Sequence, residues 1–253
     1  MTERHFTEEE LSQQRGSATE PNWDRFVEKV GGYKVSDRYP KADFENADYV
    51  FPDHKVIIEL KIIENEIDKT EQFRQKAAAL STRLFEKYGK TPLSLDPKVT
   101  AEFLKGFLGL FRAPIARIAK KANSQIKSTK ANLGLNDYQG VWLLVNDNLK
   151  ELAPQPMLHT LGRILNGSNR SLEACIYLTN HYVTIPGDDF GRILWAPLYQ
   201  AEDPGKLREF VNWLGREWFD FATELGDPSD DRIESDNFDL SGSKAAGAKF
   251  PSI

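Results

Sequence analysis

Apolar positions recur in two rhythms along the chain, and the switches between them mark out the elements. After twenty polar residues that read as a loose or weakly helical lead-in, residues 22–30 set Trp23, Phe26, Val27 and Val30 on one helical stripe. Asn22 is placed as the N-cap and Gly31-Gly32 as the stop. Residues 33–44 hold Pro40 and short apolar stretches, an irregular first strand. Strand-type runs follow at 46–51 and 55–63, separated by Pro-Asp-His, a hairpin signal. Helical spacing then returns: Phe73, Ala77, Leu80, Leu84 and Tyr88 step by three and four, closed by Gly89 and Pro92. Further helices are expected at 98–111 and 114–132. Strands are expected at 140–146 and 172–179, with a helix near 155–166 between them. Short edge strands fit 182–185 and 193–195, and a long amphipathic helix fits 206–225.

This order of elements, with helices alternating with strands after an antiparallel hairpin, predicts an α/β fold with a mixed sheet flanked by helices. Residues 66–113 read as a helical insertion in a single domain covering 1–226. The Asp-, Ser- and Gly-rich residues 227–253 read as an acidic, mobile tail.

Charge changes the picture more than composition does. Residues 69–132 carry 14 Lys/Arg and 4 Asp/Glu, whereas residues 1–68 carry 9 and 16 and residues 133–253 carry 10 and 18. A strongly basic quarter between acidic flanks points to a polyanionic partner despite the overall net charge of −5. The alternative for any one of these lysines is a solvated helix face. One cysteine, Cys175, excludes an internal disulfide and a cysteine-clustered zinc site, and it sits in an apolar strand as a core thiol. No apolar run spans a bilayer and the charged start has no secretory pattern, so a cytoplasmic location is expected. Nucleophile-elbow, P-loop and dinucleotide motifs are absent, and His54, the histidine nearest the hairpin, is expected in an exposed turn.

The informative segment is VIIELKII, residues 56–63. With period two, Val56, Ile58, Leu60 and Ile62 face one way, and Ile57, Glu59, Lys61 and Ile63 face the other. So aliphatic a strand is covered on both sides, so two charges project into a buried layer, where an uncompensated charge is costly. If the hairpin closes at 52–55, residues whose numbers sum to 107 pair and Asp48 stands opposite Glu59; a loop one residue shorter would slide Asp48 by one position. Facing carboxylates repel, and a hard cation between them reverses the sign of that interaction. An internal Glu59–Lys61 ion pair is the purely structural alternative.

Asp48, followed after ten residues by Glu59-Leu60-Lys61 on an aliphatic strand, resembles the PD-(D/E)XK nuclease superfamily, the restriction-endonuclease-like fold. The resemblance covers the order of elements from about residue 22 to 180, apart from the helical insertion. It implies Mg²⁺, replaceable by Mn²⁺, held by Asp48, Glu59 and the Leu60 carbonyl, with Lys61 orienting or activating the attacking water. It further implies a carboxylate from the first helix, for which Glu28 is the candidate, and a glutamine on the helix after the motif strand, for which Gln125 is the candidate. Ala47 stands where the motif's proline would be. Pro52-Asp53 spells the dipeptide, but Asp53 lies in the turn and ranks below Asp48; Asp43 is a further contender.

The implied activity is metal-dependent hydrolysis of phosphodiester bonds, of DNA first of all, in a restriction or phage-defence setting, with a homodimer favoured where both strands are cut. Arg117, Lys120, Lys121, Lys127 and Lys130 are the expected phosphate contacts. The alternative is an inactive module of the same fold that binds nucleic acid or a protein partner.

Overall fold

A computed structural model of the chain describes residues 6–90, 96–227, 232–235 and 238–248. These divide into two compact units, one built from residues 1–64 and 119–253 and the other from residues 65–118. Among the described residues there are seven α-helices, including α1 (Glu8–Gln13) and α6 (Pro154–Leu165), and none is long and apolar enough to cross a membrane.

The first unit is an α/β layer structure around a six-stranded mixed sheet. In sheet order the strands are β1 (Tyr33–Lys34), β2 (Tyr49–Phe51), β3 (Val56–Ile63), β4 (Gln139–Asn146), β5 (Ala174–Thr179) and β7 (Trp195–Tyr199). β3, β4 and β5 are parallel to their neighbours in this trio, and the outer strands are antiparallel to theirs. The three parallel strands are the aliphatic ones, as expected for strands covered on both faces. Two-residue strands β6 (Val183–Thr184) and β8 (Lys244–Ala245) form a separate ribbon.

One face of the sheet, carrying Tyr49, Ile58, Leu60, Val141, Leu143, Ile176 and Leu178, packs with α2 (Glu20–Lys29) and α7 (Lys206–Glu224) into one core. Trp23 of α2 stacks on Trp218 of α7 at 4.0 Å between centroids, and Phe26 meets the Trp218 ring edge-on. Such aromatic contacts add roughly 0.5–1.5 kcal/mol to the gain from burial. The opposite face carries Gly140, Trp142 and Leu144. A Cβ added at Gly140 would lie 2.7 Å from Ile126 and 2.0 Å from the Ser171 carbonyl oxygen. A glycine is therefore required for the 119–133 part of α5 (Pro97–Leu133) to come so close to the sheet.

The expected hairpin is present with the predicted register: Tyr49 pairs with Ile58, Val50 with Ile57 and Phe51 with Val56. Its turn closes with the Lys55 N–H donating to the Pro52 carbonyl, and Lys55 takes a left-handed φ of 54°. Helix α4 (Glu71–Tyr88) ends at Gly89 in the left-handed conformation that the sequence called for; Pro92 lies outside the described residues.

Four expectations change. The first long helix begins at Glu20 with Thr19 at its N-cap, because Pro21 is accommodated in the first turn, where no intrahelical N–H is needed; Asn22 instead donates to the Ser17 carbonyl. Residues 33–44 supply only the two-residue β1 and a single turn of helix, α3 (Val35–Arg38). The two helices expected around Pro114 are one, α5. Proline costs one backbone hydrogen bond, but the fully buried stripe Phe111, Ile115, Ala119, Ala122 and Ile126 continues through it, so tertiary burial overrides propensity. Part of the expected mobile tail is ordered: β8 pairs with β6, Ala245 and Ala246 are buried, and Lys244 pairs with Glu8 at 2.8 Å. Residues 228–231, 236–237 and 249–253 of that tail lie outside the described residues.

Candidate functional site

The site forms at the N-terminal end of β2, where β3 continues past the paired residues. β2 begins at Tyr49, so Asp48 stands just beyond the paired strand, and its carboxylate turns back along the open edge to accept the Leu60 N–H at 2.8 Å. Leu60 presents its carbonyl to the same strand edge as that N–H. Glu59 and Lys61 flank Leu60 and, by alternation, leave the α2/α7 core for the opposite face. There the Lys61 ammonium donates to Glu59 Oε1. Asp48, Glu59 and Lys61, singled out from the sequence, are thus brought together.

The site's electrostatics follow from its walls. Trp142 and Leu144 of β4 are the register partners of Glu59 and Lys61. Glu59 is fully buried, whereas the Lys61 side chain keeps 24 % of its exposure and Asp48 is half-buried. Burial, and then the neighbouring Asp48 carboxylate, push the Glu59 carboxyl up to about 8, against the opposing pull of Lys61. Burial raises the Asp48 carboxyl too, although the Leu60 N–H and Lys61 partly offset it. Two carboxyls in one pocket, both inclined to keep a proton, form a site short of positive charge.

Helix α5 completes this face. Thr129 Oγ1 accepts the Ala47 N–H at 2.7 Å, and Gln125 Nε2 donates to the Asn46 carbonyl at 3.0 Å. These bonds fix the backbone leading into Asp48 and set Gln125 two residues from it. Glu59 Oε2 and Gln125 Oε1 are buried acceptors without a donor among the described residues. An orphaned oxygen on the raised carboxyl pair itself suits a hard divalent cation, which prefers oxygen and, for Mg²⁺, needs only one or two carboxylates in addition to water and substrate. The protein's contribution is limited to that: among the described residues no group of three or more His, Cys, Asp or Glu is arranged to hold a metal.

Glu28 does not join the site. It is exposed on α2, whose core face packs on the Ile58/Leu60 side of the sheet, the layer opposite Glu59. The α2 carboxylate that reaches Asp48 electrostatically is Glu20, two helical turns earlier. Sequence reasoning missed the group around it: Lys34 Nζ lies 2.8 Å from Asp24 and 3.5 Å from Glu20, and the Tyr49 hydroxyl donates to Asp24 at 2.9 Å. The only signal was the i, i+4, i+8 spacing of Glu20, Asp24 and Glu28, which cannot say which turn faces the strand end.

The predicted phosphate contacts divide. Lys120, Lys121 and Lys127 are exposed on α5, but Lys130 is half-buried and paired with Glu173 at 3.0 Å, so its charge is already matched. Lys121 precedes Gln125 by one turn and shares its side of the helix, whereas Lys120 and Lys127 fall on the other flank of the buried stripe. Arg117 is exposed and belongs to the 65–118 unit. Asp43 and Asp53 are exposed, apart from the carboxylate pair. His54 lies in the hairpin turn and stacks on Trp213 at 4.8 Å. Cys175 is fully buried, its thiol pushed up by burial.

Compared with family models, with curated proteins and with solved structures, the chain has no match. Fold and site define an α/β protein with a mixed sheet and one recessed carboxylate–carboxylate–lysine cluster at the open end of its central hairpin.

Proposed function

We propose that this protein is a divalent-cation-dependent nuclease of the restriction-endonuclease-like fold, hydrolysing phosphodiester bonds of DNA. The observation that carries this reading is the convergence of Asp48, Glu59 and Lys61 on the open end of the β2–β3 hairpin, with Gln125 arriving from the helix that precedes β4. The order of helix, antiparallel hairpin, helix and parallel strand supports it further.

Asp48, Glu59 and the Leu60 carbonyl would hold the cation, Mg²⁺ or Mn²⁺. Bound there, the ion supplies Lewis-acid polarisation of the phosphodiester and a more acidic water. Lys61, partly solvent-accessible and anchored by Glu59, would place its ammonium where negative charge develops on the phosphoryl oxygens. The Asn46 carbonyl holds the Gln125 amide by its nitrogen, which fixes the orientation of its oxygen beside the Asp48 approach. Trp142 and Leu144 keep bulk water from Glu59, so its charge is expressed only when a cation compensates it.

Incubating plasmid and single-stranded DNA with the wild type and with Lys61→Ala, in Mg²⁺ or Mn²⁺, tests the reading. Cation-dependent cleavage by the wild type, reduced at least about 100-fold in the variant, is the expected result. If neither protein cuts but both bind DNA with strong salt dependence, the non-catalytic module replaces it.

A further inference from the structure

The 65–118 unit, taken by itself, contains a second charged feature that the cluster at Asp48 does not use. Helix α4 and the first part of α5 run antiparallel: Phe73 meets Phe107 and Phe111, and the Tyr88 hydroxyl donates to Glu102 at 2.6 Å. Between these ends the helices approach closely, because a Cβ at Gly106 would fall 2.6 Å from Leu80. A groove of about 600 Å³ opens along this seam and continues into another of about 420 Å³, the two sharing Arg83 and Gly106.

Four cations line the groove, Lys76 and Arg83 from α4 and Lys98 and Lys105 from α5. All four are exposed, and none has an ion-pair partner among the described residues. Each pair is separated by seven residues, which on an α-helix returns to the same face roughly 10 Å further along the axis. The two helices therefore present two parallel rows of charge. The sole acid in the lining, Glu102, is already matched by Lys87 at 2.9 Å and by Tyr88. The small residues Ala79, Ala101 and Gly106 belong to the same lining and leave the cations free of bulky neighbours at those positions.

We propose that this groove grips the phosphate backbone of DNA as a binding site separate in its residues from the catalytic cluster. Two charges roughly 10 Å apart on each helix let one row reach two nearby phosphates of the same strand. A groove lined by exposed cations, with no Asn, Gln, Ser or Thr among its lining residues, fits sequence-independent capture of phosphates. The inference rests on the DNA-acting reading above and deepens it: the helical unit supplies affinity and the sheet supplies chemistry.

The test uses the full chain carrying Lys76→Gln, Arg83→Gln, Lys98→Gln and Lys105→Gln together, the two helix pairs separately, and a control with Arg163→Gln, Arg170→Gln and Lys206→Gln, three exposed cations outside the groove. Fluorescence anisotropy with a labelled 30-base-pair duplex and with one of its strands, in EDTA, is followed from 50 to 200 mM NaCl. The quadruple variant is expected to bind at least tenfold more weakly than the control. Its slope of log affinity against log salt should flatten by about three to four on the duplex, and each helix pair should give about half of that. Circular dichroism melting at the wild-type temperature establishes that the variants are folded, and the helix pairs provide the reading if the quadruple variant melts early. In Mg²⁺, KM should rise while kcat at saturating DNA holds. Wild type and groove variants binding DNA equally well would overturn the groove assignment and leave the nuclease reading standing. A wild type that binds no DNA would overturn both.

Discussion

Strand β3 presents two faces made of the same backbone and opposite chemistry. Towards α2 and α7 it buries Val56, Ile58 and Leu60 in an aromatic core closed by the Trp23–Trp218 stack. Towards α5 it buries Ile57 and then Glu59, with Lys61 beside it, in a layer that leaves the Glu59 Oε2 and Gln125 Oε1 acceptors unmatched. The first face contributes stability in proportion to the apolar area removed from water. The second costs stability, because a carboxylate is desolvated next to another carboxylate. A strand held between antiparallel β2 and parallel β4 can tolerate this, and the charged side chains stay fixed in place because the apolar side holds the backbone.

Breaking the apolar side should have the largest effect. Ile58→Ala removes three carbon atoms from a fully buried position, and an expected loss of about 2–5 kcal/mol is measured by urea unfolding. A loss under about 1 kcal/mol would mean that this face does not anchor the strand.

Neutralising the charged side should act in the opposite direction. Glu59 holds its proton in the fold up to about pH 8, whereas an unfolded glutamate ionises near 4.5, so the folded state binds more protons between those values. Wild-type stability without divalent cations should therefore fall as pH rises from about 4.5 through 8. Glu59→Gln should flatten that fall and be more stable than wild type at pH 8, by about 1–3 kcal/mol, while losing cleavage. A wild type that gains stability across that range would show that Lys61, rather than desolvation, governs the carboxyl.

The contrast between the faces also explains what could be read in advance. Alternation in VIIELKII assigned each residue of β3 to its layer, and the Pro-Asp-His turn set the register that puts Asp48 at Glu59, because both depend on local periodicity. The Gln125 helix was legible for the same reason. What failed depends on packing between distant segments. Glu28 was chosen on its helix without knowing which layer α2 would cover, and only the assembled sheet shows that α2 lies against Ile58 and Leu60. Pro114 suggested a break that continuous burial from Phe111 to Ile126 overrides, and the Lys130–Glu173 pair joins residues 43 apart in sequence. A two-residue strand such as β8 has too few positions to show any period.

Calorimetric titration of Mn²⁺ into the wild type, Asp48→Asn and Glu59→Gln at pH 7.5 addresses the charged face most directly. One saturable site is expected in the wild type, with proton release that appears as a heat dependent on the buffer's ionisation enthalpy, and neither variant should show it. Binding of equal strength in all three proteins, or none in the wild type, would contradict a cation site at Asp48 and Glu59.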